Sequence, residues 1–321
     1  MPIEDCELIN YESMKNIYLL IITFVLFGSF AIAQQLPHFS QYYVNDFLIN
    51  PAVAGSKEYF EGKSAHRYQW EGITDAPRTY TLSVNGPTKS QKMGLGGYLF
   101  TDIVGPTRRT GFNLAYAYHL QLNPDLKLSF GLSAGLLQFT IDGSKITLRD
   151  EGDAIITNGV QSVLVPDAGF GTYLYHKKFY FGFSAPQLLN SKVKFFDEGE
   201  NPNGKLPAHF FVTGGYKFDI SNDFMLEPSF FVKYISPAPV MFDGSLRIMY
   251  QQKLWLAGTY RHNDAVAVSV GFVLNKSFTV AYAYDFTTTN IQNHISGSHE
   301  LMIGIRFYKA TKKSKSAPSI D

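Results

Sequence analysis

Between Phe278 and Phe286 the chain alternates without a break. Phe278, Val280, Tyr282, Tyr284 and Phe286 fall on one face of an extended strand, and Thr279, Ala281, Ala283 and Asp285 on the other. The same division separates Phe112, Leu114, Tyr116, Tyr118 and Leu120 from Gly111, Asn113, Ala115, Ala117 and His119. It separates Leu126, Leu128, Phe130 and Leu132 from Lys127, Ser129, Gly131 and Ser133, and Val266, Val268, Val270 and Phe272 from Ala265, Ala267, Ser269 and Gly271. What constrains the fold is the second face, which is mostly Gly, Ala, Ser and Thr; a soluble sandwich satisfies water there, usually with charged groups. A barrel in lipid needs the opposite arrangement: apolar side chains outside, small or polar ones within, and no open edge, because unpaired backbone groups in hydrocarbon are costly. Composition agrees, since charged residues are only 17% of the chain while aromatics reach 15%, so many rings must face something other than water.

Connection lengths give a second test, because outer-membrane barrels place short turns on the periplasmic side and longer loops outside. Past about Ser56, every second connection is compact: Asn123-Pro124-Asp125, His176-Lys177-Lys178, residues 219–223, Gln251-Gln252 and Asn275-Lys276. The alternate connections include the longest, residues 142–167, 186–207 and 287–298, with shorter ones at 236–239 and around Asn263. The pattern predicts an all-β transmembrane antiparallel barrel of about fourteen strands over residues 57–308. Its last strand points Leu301, Ile303, Ile305 and Phe307 at lipid, and a basic periplasmic tail, residues 309–321, follows.

At the other end, residues 14–33 read as a secretory signal: Lys15 gives the basic start, residues 17–30 the apolar run, and Ala31-Ile32-Ala33 the small-residue cleavage site. The acidic lead over residues 1–13 suits no such signal, so translation is expected to start at Met14 and the mature chain at Gln34. The single cysteine, Cys6, precedes the signal, which excludes a disulfide framework, a thiolate zinc site and a cysteine nucleophile from the mature chain. No cysteine follows the apolar run to carry a lipid. A net charge of +1 offers no field to attract nucleic acid.

The stretch from Phe39-Ser40-Gln41-Tyr42-Tyr43 to Asn50-Pro51-Ala52-Val53-Ala54-Gly55-Ser56 resembles the start of the PorP/SprF family of the type IX secretion system. The resemblance continues in Arg67-Tyr68-Gln69-Trp70-Glu71-Gly72-Ile73, Ala76-Pro77-Arg78-Thr79 and Gly94-Leu95-Gly96-Gly97, then Asp102 and Gly105. It resumes in Tyr260-Arg261, Tyr284-Asp285 and Gly297-Ser298-His299-Glu300-Leu301. Val53, where an aromatic is expected, and Thr74-Asp75 depart from the pattern. The resemblance implies a non-enzymatic outer-membrane component of type IX protein secretion. It would act in export, or in surface anchoring of a secreted partner such as an adhesin in gliding or surface assembly. Partners would be outer-membrane lipid and either periplasmic ring components or the secreted surface protein.

Read from its residues alone, the 34–56 segment is aromatic and amide-rich, lacks strand alternation and is too apolar to float free. It is expected to plug the barrel mouth or cover the periplasmic rim, with Phe39, Ser40, Gln41, Tyr42, Asn45, Asn50, Pro51 and Gly55 as contact candidates. Asn50-Pro51-Ala52 reads equally as a turn into the first strand, or as similar to the hatch of FadL-type channels, which gives the alternative function, a passive channel for small or hydrophobic solutes. Lys127, Glu227, Lys233, Arg247, Arg261, Asp285 and Arg306 fall on inward faces, with mixed signs that suggest lumen ion pairs. No catalytic, cofactor or metal residues emerge: the histidines are scattered, His299-Glu300 reads as a hydrogen-bonding pair at a strand end, and Gly94-Leu95-Gly96-Gly97 lacks the Lys-Ser/Thr of a phosphate loop. Asp150-Glu151-Gly152-Asp153 and Asp197-Glu198-Gly199-Glu200 read as solvated loop charge, without the ligand register of a calcium hand.

Overall fold

The computed structural model describes residues 36–146, 159–193, 195, 204–275 and 277–307. The signal at 14–33, the tail at 309–321 and both acidic loop tetrads lie outside the described residues. In chain order the strands are β1 (Phe60–Tyr68), β2 (Arg78–Pro87), β3 (Met93–Val104), β4 (Thr107–Gln121), β5 (Lys127–Asp142), β6 (Val160–Tyr175) and β7 (Phe179–Ala185). There follow β8 (Lys192–Val193), β9 (Gly204–Lys205), β10 (His209–Tyr216), β11 (Phe218–Asp219), β12 (Phe224–Ile235) and β13 (Met241–Tyr250). The last are β14 (Leu254–Arg261), β15 (Ala265–Leu274), β16 (Phe278–Thr287) and β17 (Ser298–Phe307).

Fourteen of these, β1–β7, β10 and β12–β17, pair antiparallel with their neighbours, and the ring closes at two places that an open sheet would leave as edges. β1 pairs with β17 from Phe60↔Phe307 to Tyr68↔His299, and β10 pairs with β12 from His209↔Ile235 to Gly215↔Ser229. β8 and β9 form a small separate ribbon, and β11 extends the β10–β12 hairpin. This is the closed fourteen-strand outer-membrane barrel that the periodicity requires.

Side chains divide as the alternation dictates. Leu114, Leu132 and Phe286 stand 57%, 61% and 55% exposed on the outer surface, whereas Ala117 and Ala283, one pleat away, are fully buried within. The compact turns fall at one end, and their residues explain them: Asn123 Oδ1 accepts the backbone N–H groups of Asp125 and Leu126 at 3.1 and 2.8 Å, closing the β4–β5 turn without a partner strand. One expected boundary moves. The 142–167 connection is shorter than its sequence suggests, because Val160, Val163 and Val165 continue the ladder and β5–β6 pairing runs out to Asp142↔Val160.

A cation on the outer face meets lipid rather than water. Leu114→Arg is therefore expected to lower the unfolding free energy in lipid vesicles, followed in urea, by about 2–4 kcal/mol; an unchanged midpoint would show that this face is not in hydrocarbon.

Candidate functional site

Residues 36–56 pair with no wall strand and lie inside the barrel. Local chemistry gives the segment its shape: two single 3₁₀ turns, Asp46–Leu48 and Pro51–Val53, separate it into an aromatic half and an Ala-rich half. Asn50 caps the second turn, its Oδ1 accepting from Ala52 N–H at 2.9 Å, and Pro51 sits at the first position, where a missing N–H costs nothing. The Asn50 amide is also the bridge to the wall, donating to Thr172 O at 2.9 Å on β6 and Phe183 O at 3.2 Å on β7. Ser184 Oγ donates to Ile49 O at 2.7 Å beside it.

The wall that receives this half is bare of side chains. A Cβ on Gly131 would lie 2.2 Å from Ala52 N, one on Gly171 2.0 Å from Asn50 Oδ1, and one on Gly94 1.8 Å from Ala54 O. Main chain thus packs against main chain at Gly94 and Gly131 and takes the Asn50 amide at Gly171, and a larger residue at any of these positions would collide with the segment. His119 completes the seat: its Nε2–H donates to Ala54 O at 2.9 Å while Tyr175 Oη donates to Nδ1 at 3.0 Å. Gly55, at φ +71°, turns the chain toward β1, and its N–H reaches Asn85 Oδ1 at 3.3 Å.

The aromatic half packs on the opposite wall. Tyr42 stacks on Phe231 at 5.4 Å between ring centroids, with its hydroxyl 3.3 Å from Ser229 Oγ. Tyr43 meets Trp255 edge-on at 5.9 Å, and its hydroxyl lies 2.6 Å from Ser269 Oγ. Phe47 turns back to the glycine-bearing wall, buried against Tyr98 on β3 and over Gly96.

Above these rings, toward the long-loop end, lies a buried ionic cluster. Arg67 on β1 reaches Asp285 on β16 at 2.7 Å and Glu300 on β17 at 3.3 Å. Arg261 on β14 reaches Asp285 at 3.2 Å, Asp243 on β13 at 3.3 Å and the loop residue Asp264 at 3.2 Å. Ser40 sits at the centre: its hydroxyl donates to Asp285 at 2.6 Å and accepts from Arg67 at 2.8 Å and Arg261 at 3.2 Å. The Ser40 and Gln41 backbone N–H groups donate to the two Glu300 carboxylate oxygens at 2.8 and 3.2 Å. Burial, with Arg261 close by, lowers the pKa of His38, so its imidazole is neutral and Nε2–H donates to Asp243 at 2.7 Å.

On the other side of the segment, at the compact-turn end, the barrel holds an open vestibule of about 950 Å³. Tyr42, Tyr43, Ile49 and Val53 of the segment form part of its lining, and Tyr173, Tyr175 and Tyr180 stand along one side. Its charges are partly paired: Lys63 reaches Glu61 at 2.9 Å and Val44 O at 2.6 Å, Lys57 reaches Glu61 at 2.9 Å, and Arg247 reaches Glu227 at 2.5 Å. Burial alone would lower the Lys57 pKa, but Asp46 and Glu61 hold it well above the usual lysine value, so it stays charged. A second cavity, about 70 Å³, lies on the loop side against Phe39, Asn113 and Gln187.

Residues 31–305 match the family described as type IX secretion system membrane protein PorP/SprF. The chain belongs to the PorP/SprF family. It is thus a membrane component of type IX secretion, and its barrel places it in the outer membrane. Among solved structures, the toluene transporter TbuX of Ralstonia pickettii superposes with a TM-score of 0.50 at 9% identity, over 82% of this chain and 92% of that one. Omp33 of Acinetobacter baumannii gives a TM-score of 0.48 at 8% identity, over 79% and 100%. At such identity the TbuX likeness speaks for the barrel fold alone. No curated protein matches the sequence.

Within this PorP/SprF barrel, the contact candidates converge on the interior. Ser40, Gln41, Tyr42, Asn50, Pro51 and Gly55 make the contacts above, Asn45 is buried, and Phe39 faces the small cavity. Of the inward charges, Arg261 and Asp285 join the cluster, Glu227 pairs with Arg247, and Lys233 donates to Leu36 O at 3.0 Å. Lys127 and Arg306 instead line the vestibule, the latter stacked over Tyr59. Sequence reasoning missed Arg67, Asp243, Glu300 and His38 as members of the cluster. Arg67 was findable, since alternation through Ala65 points it inward, and Asp243 follows from its place opposite Arg261. His299 and Glu300 are not a pair: adjacent strand residues face opposite ways, so Glu300 enters the cluster while His299, outside, meets Glu71 and Tyr282 at 2.7 and 2.6 Å. Among the described residues no group of His, Cys, Asp and Glu could hold a metal ion.

Two substitutions test the seat. Gly131→Leu should displace the Ala-rich half, so that limited proteolysis cuts within residues 36–56 while the barrel keeps its heat-modifiable gel migration; a protected segment would refute the glycine seat. Arg67→Met strands two buried carboxylates and should lower stability by about 3–5 kcal/mol, with part recovered by adding Glu300→Leu. Simple additivity of the two in urea unfolding would show that they do not interact.

Proposed function

We propose that this protein serves the export or surface anchoring of a secreted partner such as an adhesin, in gliding or surface assembly, without catalysing a reaction itself. In this reading residues 14–33 are removed on export, residues 36–56 are a plug, and the vestibule faces the periplasmic components of the apparatus. The observation that carries it is the occupied interior. A segment held by close packing on glycines and by hydrogen bonds to buried, ion-paired side chains lies between the small loop-side cavity and the vestibule, as suits a scaffold. A passive FadL-like channel for small or hydrophobic solutes needs a continuous path, and a segment lying across the interior favours the first reading over it.

Deleting the gene should remove a secreted protein from the cell surface and leave it in the periplasm or the medium, read by protease shaving and immunoblotting of fractions. Normal surface display in the deletion strain would overturn the reading. Steady, solute-selective conductance of the purified barrel in planar bilayers would favour the channel instead.

A further inference from the structure

The vestibule is a wide space that the described side chains leave unfilled, and its walls have a definite chemistry. About 950 Å³ is at the upper end of ligand clefts, roughly 300–1,000 Å³. It opens among the compact turns, the end that faces the periplasm in outer-membrane barrels. Along one side stand three phenol rings, the buried Tyr173 stacked on the half-buried Tyr175 at 5.3 Å and tilted against Tyr180 at 6.0 Å.

Charge decides what such a surface accepts. Eight cationic side chains line the space against six carboxylates. Lys57, Lys63, Lys177 and Arg247 are engaged with Asp46, Glu61, Asp125 and Glu227. Lys127, Lys178 and Lys217 make no ion pair with a described residue, and Arg306 rests on the Tyr59 ring; only Glu58 and Asp219 remain among the carboxylates in the same condition. The space between the unpaired lysines is therefore net positive and ring-lined. The chain's own tail is a poor occupant, since the sequence after Phe307 adds Lys309, Lys312, Lys313 and Lys315 and would meet like charge.

Resting on the function proposed above, we infer that the vestibule is a receptor for an acidic, aromatic-bearing peptide segment of a periplasmic partner. Its carboxylates meet Lys127, Lys178 and Lys217, and its rings pack on Tyr175, which the buried Tyr173 backs. Surface lysines at the mouth steer the segment in, and the rings hold it once it is seated.

The test uses the full-length barrel in lipid nanodiscs and a fluorescein-labelled peptide Asp-Phe-Glu-Tyr-Asp-Phe, followed by anisotropy. The counterpart Lys-Phe-Lys-Tyr-Lys-Phe and an all-acidic peptide without rings are the controls. The acidic aromatic peptide should bind best, weaken as salt rises, and lose about tenfold or more in affinity in the triple variant Lys127→Glu, Lys178→Glu, Lys217→Glu. The heat-modifiable migration of that variant reports that it has folded. Equal binding of the acidic and basic peptides, no binding, or binding indifferent to the triple reversal would overturn the receptor. The same variant in cells separates the two proposals: if deletion abolishes surface display while the triple reversal leaves it normal, the receptor falls and the export role stands. If deletion leaves display normal, the export role falls, and the peptide titration alone still decides the vestibule.

Discussion

Hydrocarbon offers no partner to a backbone N–H or C=O, and the rest of this molecule follows from that deficiency. A sheet with any free edge would carry a row of unsatisfied groups, so β1 must find β17 and β10 must find β12. Once the ring is closed, every strand has an outside in lipid and an inside that is not, and the pleat assigns alternate residues to each. That much explains why Phe, Tyr and Leu stand outward. It does not explain why the inside is so often Gly or Ala, since polar residues satisfy a water-filled lumen equally well. The internal segment supplies the reason: its main chain occupies the place of side chains at Gly94 and Gly131, and its Asn50 side chain does so at Gly171.

The ionic cluster has a logic of its own. Ions taken out of water cost several kcal/mol each, and mutual attraction repays this only when hydrogen bonds satisfy what the ion pairs leave open. The strands contribute two guanidiniums, Arg67 and Arg261, and three buried carboxylates, Asp243, Asp285 and Glu300. The wall alone is therefore short of donors. His38, Ser40 and Gln41 supply them through an imidazole N–H, a hydroxyl and two backbone N–H groups. The segment's donors meet carboxylate oxygens of the wall, which gives the seating a specificity that apolar packing of Tyr42 and Tyr43 would not provide.

Much of the fold was legible because period two is a strong signal when its two faces differ as sharply as Phe278 to Phe286 do. The compact turns were legible from Asn, Pro and Asp for the same local reason. Boundaries at the long loops were not: Val160 to Val165 lie in a stretch whose polar neighbours suggest a loop, and only pairing with β5 makes them strand. The interior was half legible. Ser40, Tyr42 and Asn50 stood out as residues too polar or too aromatic to be idle, whereas the partners they touch lie some 120 to 260 positions away and depend on register across the closed ring. Glu300 is not legible from its neighbour His299, because residues adjacent along a strand point to opposite faces.

Arg67 and Glu300 are register neighbours at the junction where the chain's first and last strands meet. A cylinder has to be zipped shut somewhere, and here the final stitch joins two strands whose inward charges already grip Ser40. The leading residues run from the long-loop end, at His38, to the short-turn end, where they become β1, so the axle and the rim are one continuous thread. Closing such a wheel and filling its hub are then a single event, and a chain that failed to place its axle would reach the last stitch with three carboxylates and too few donors to meet them.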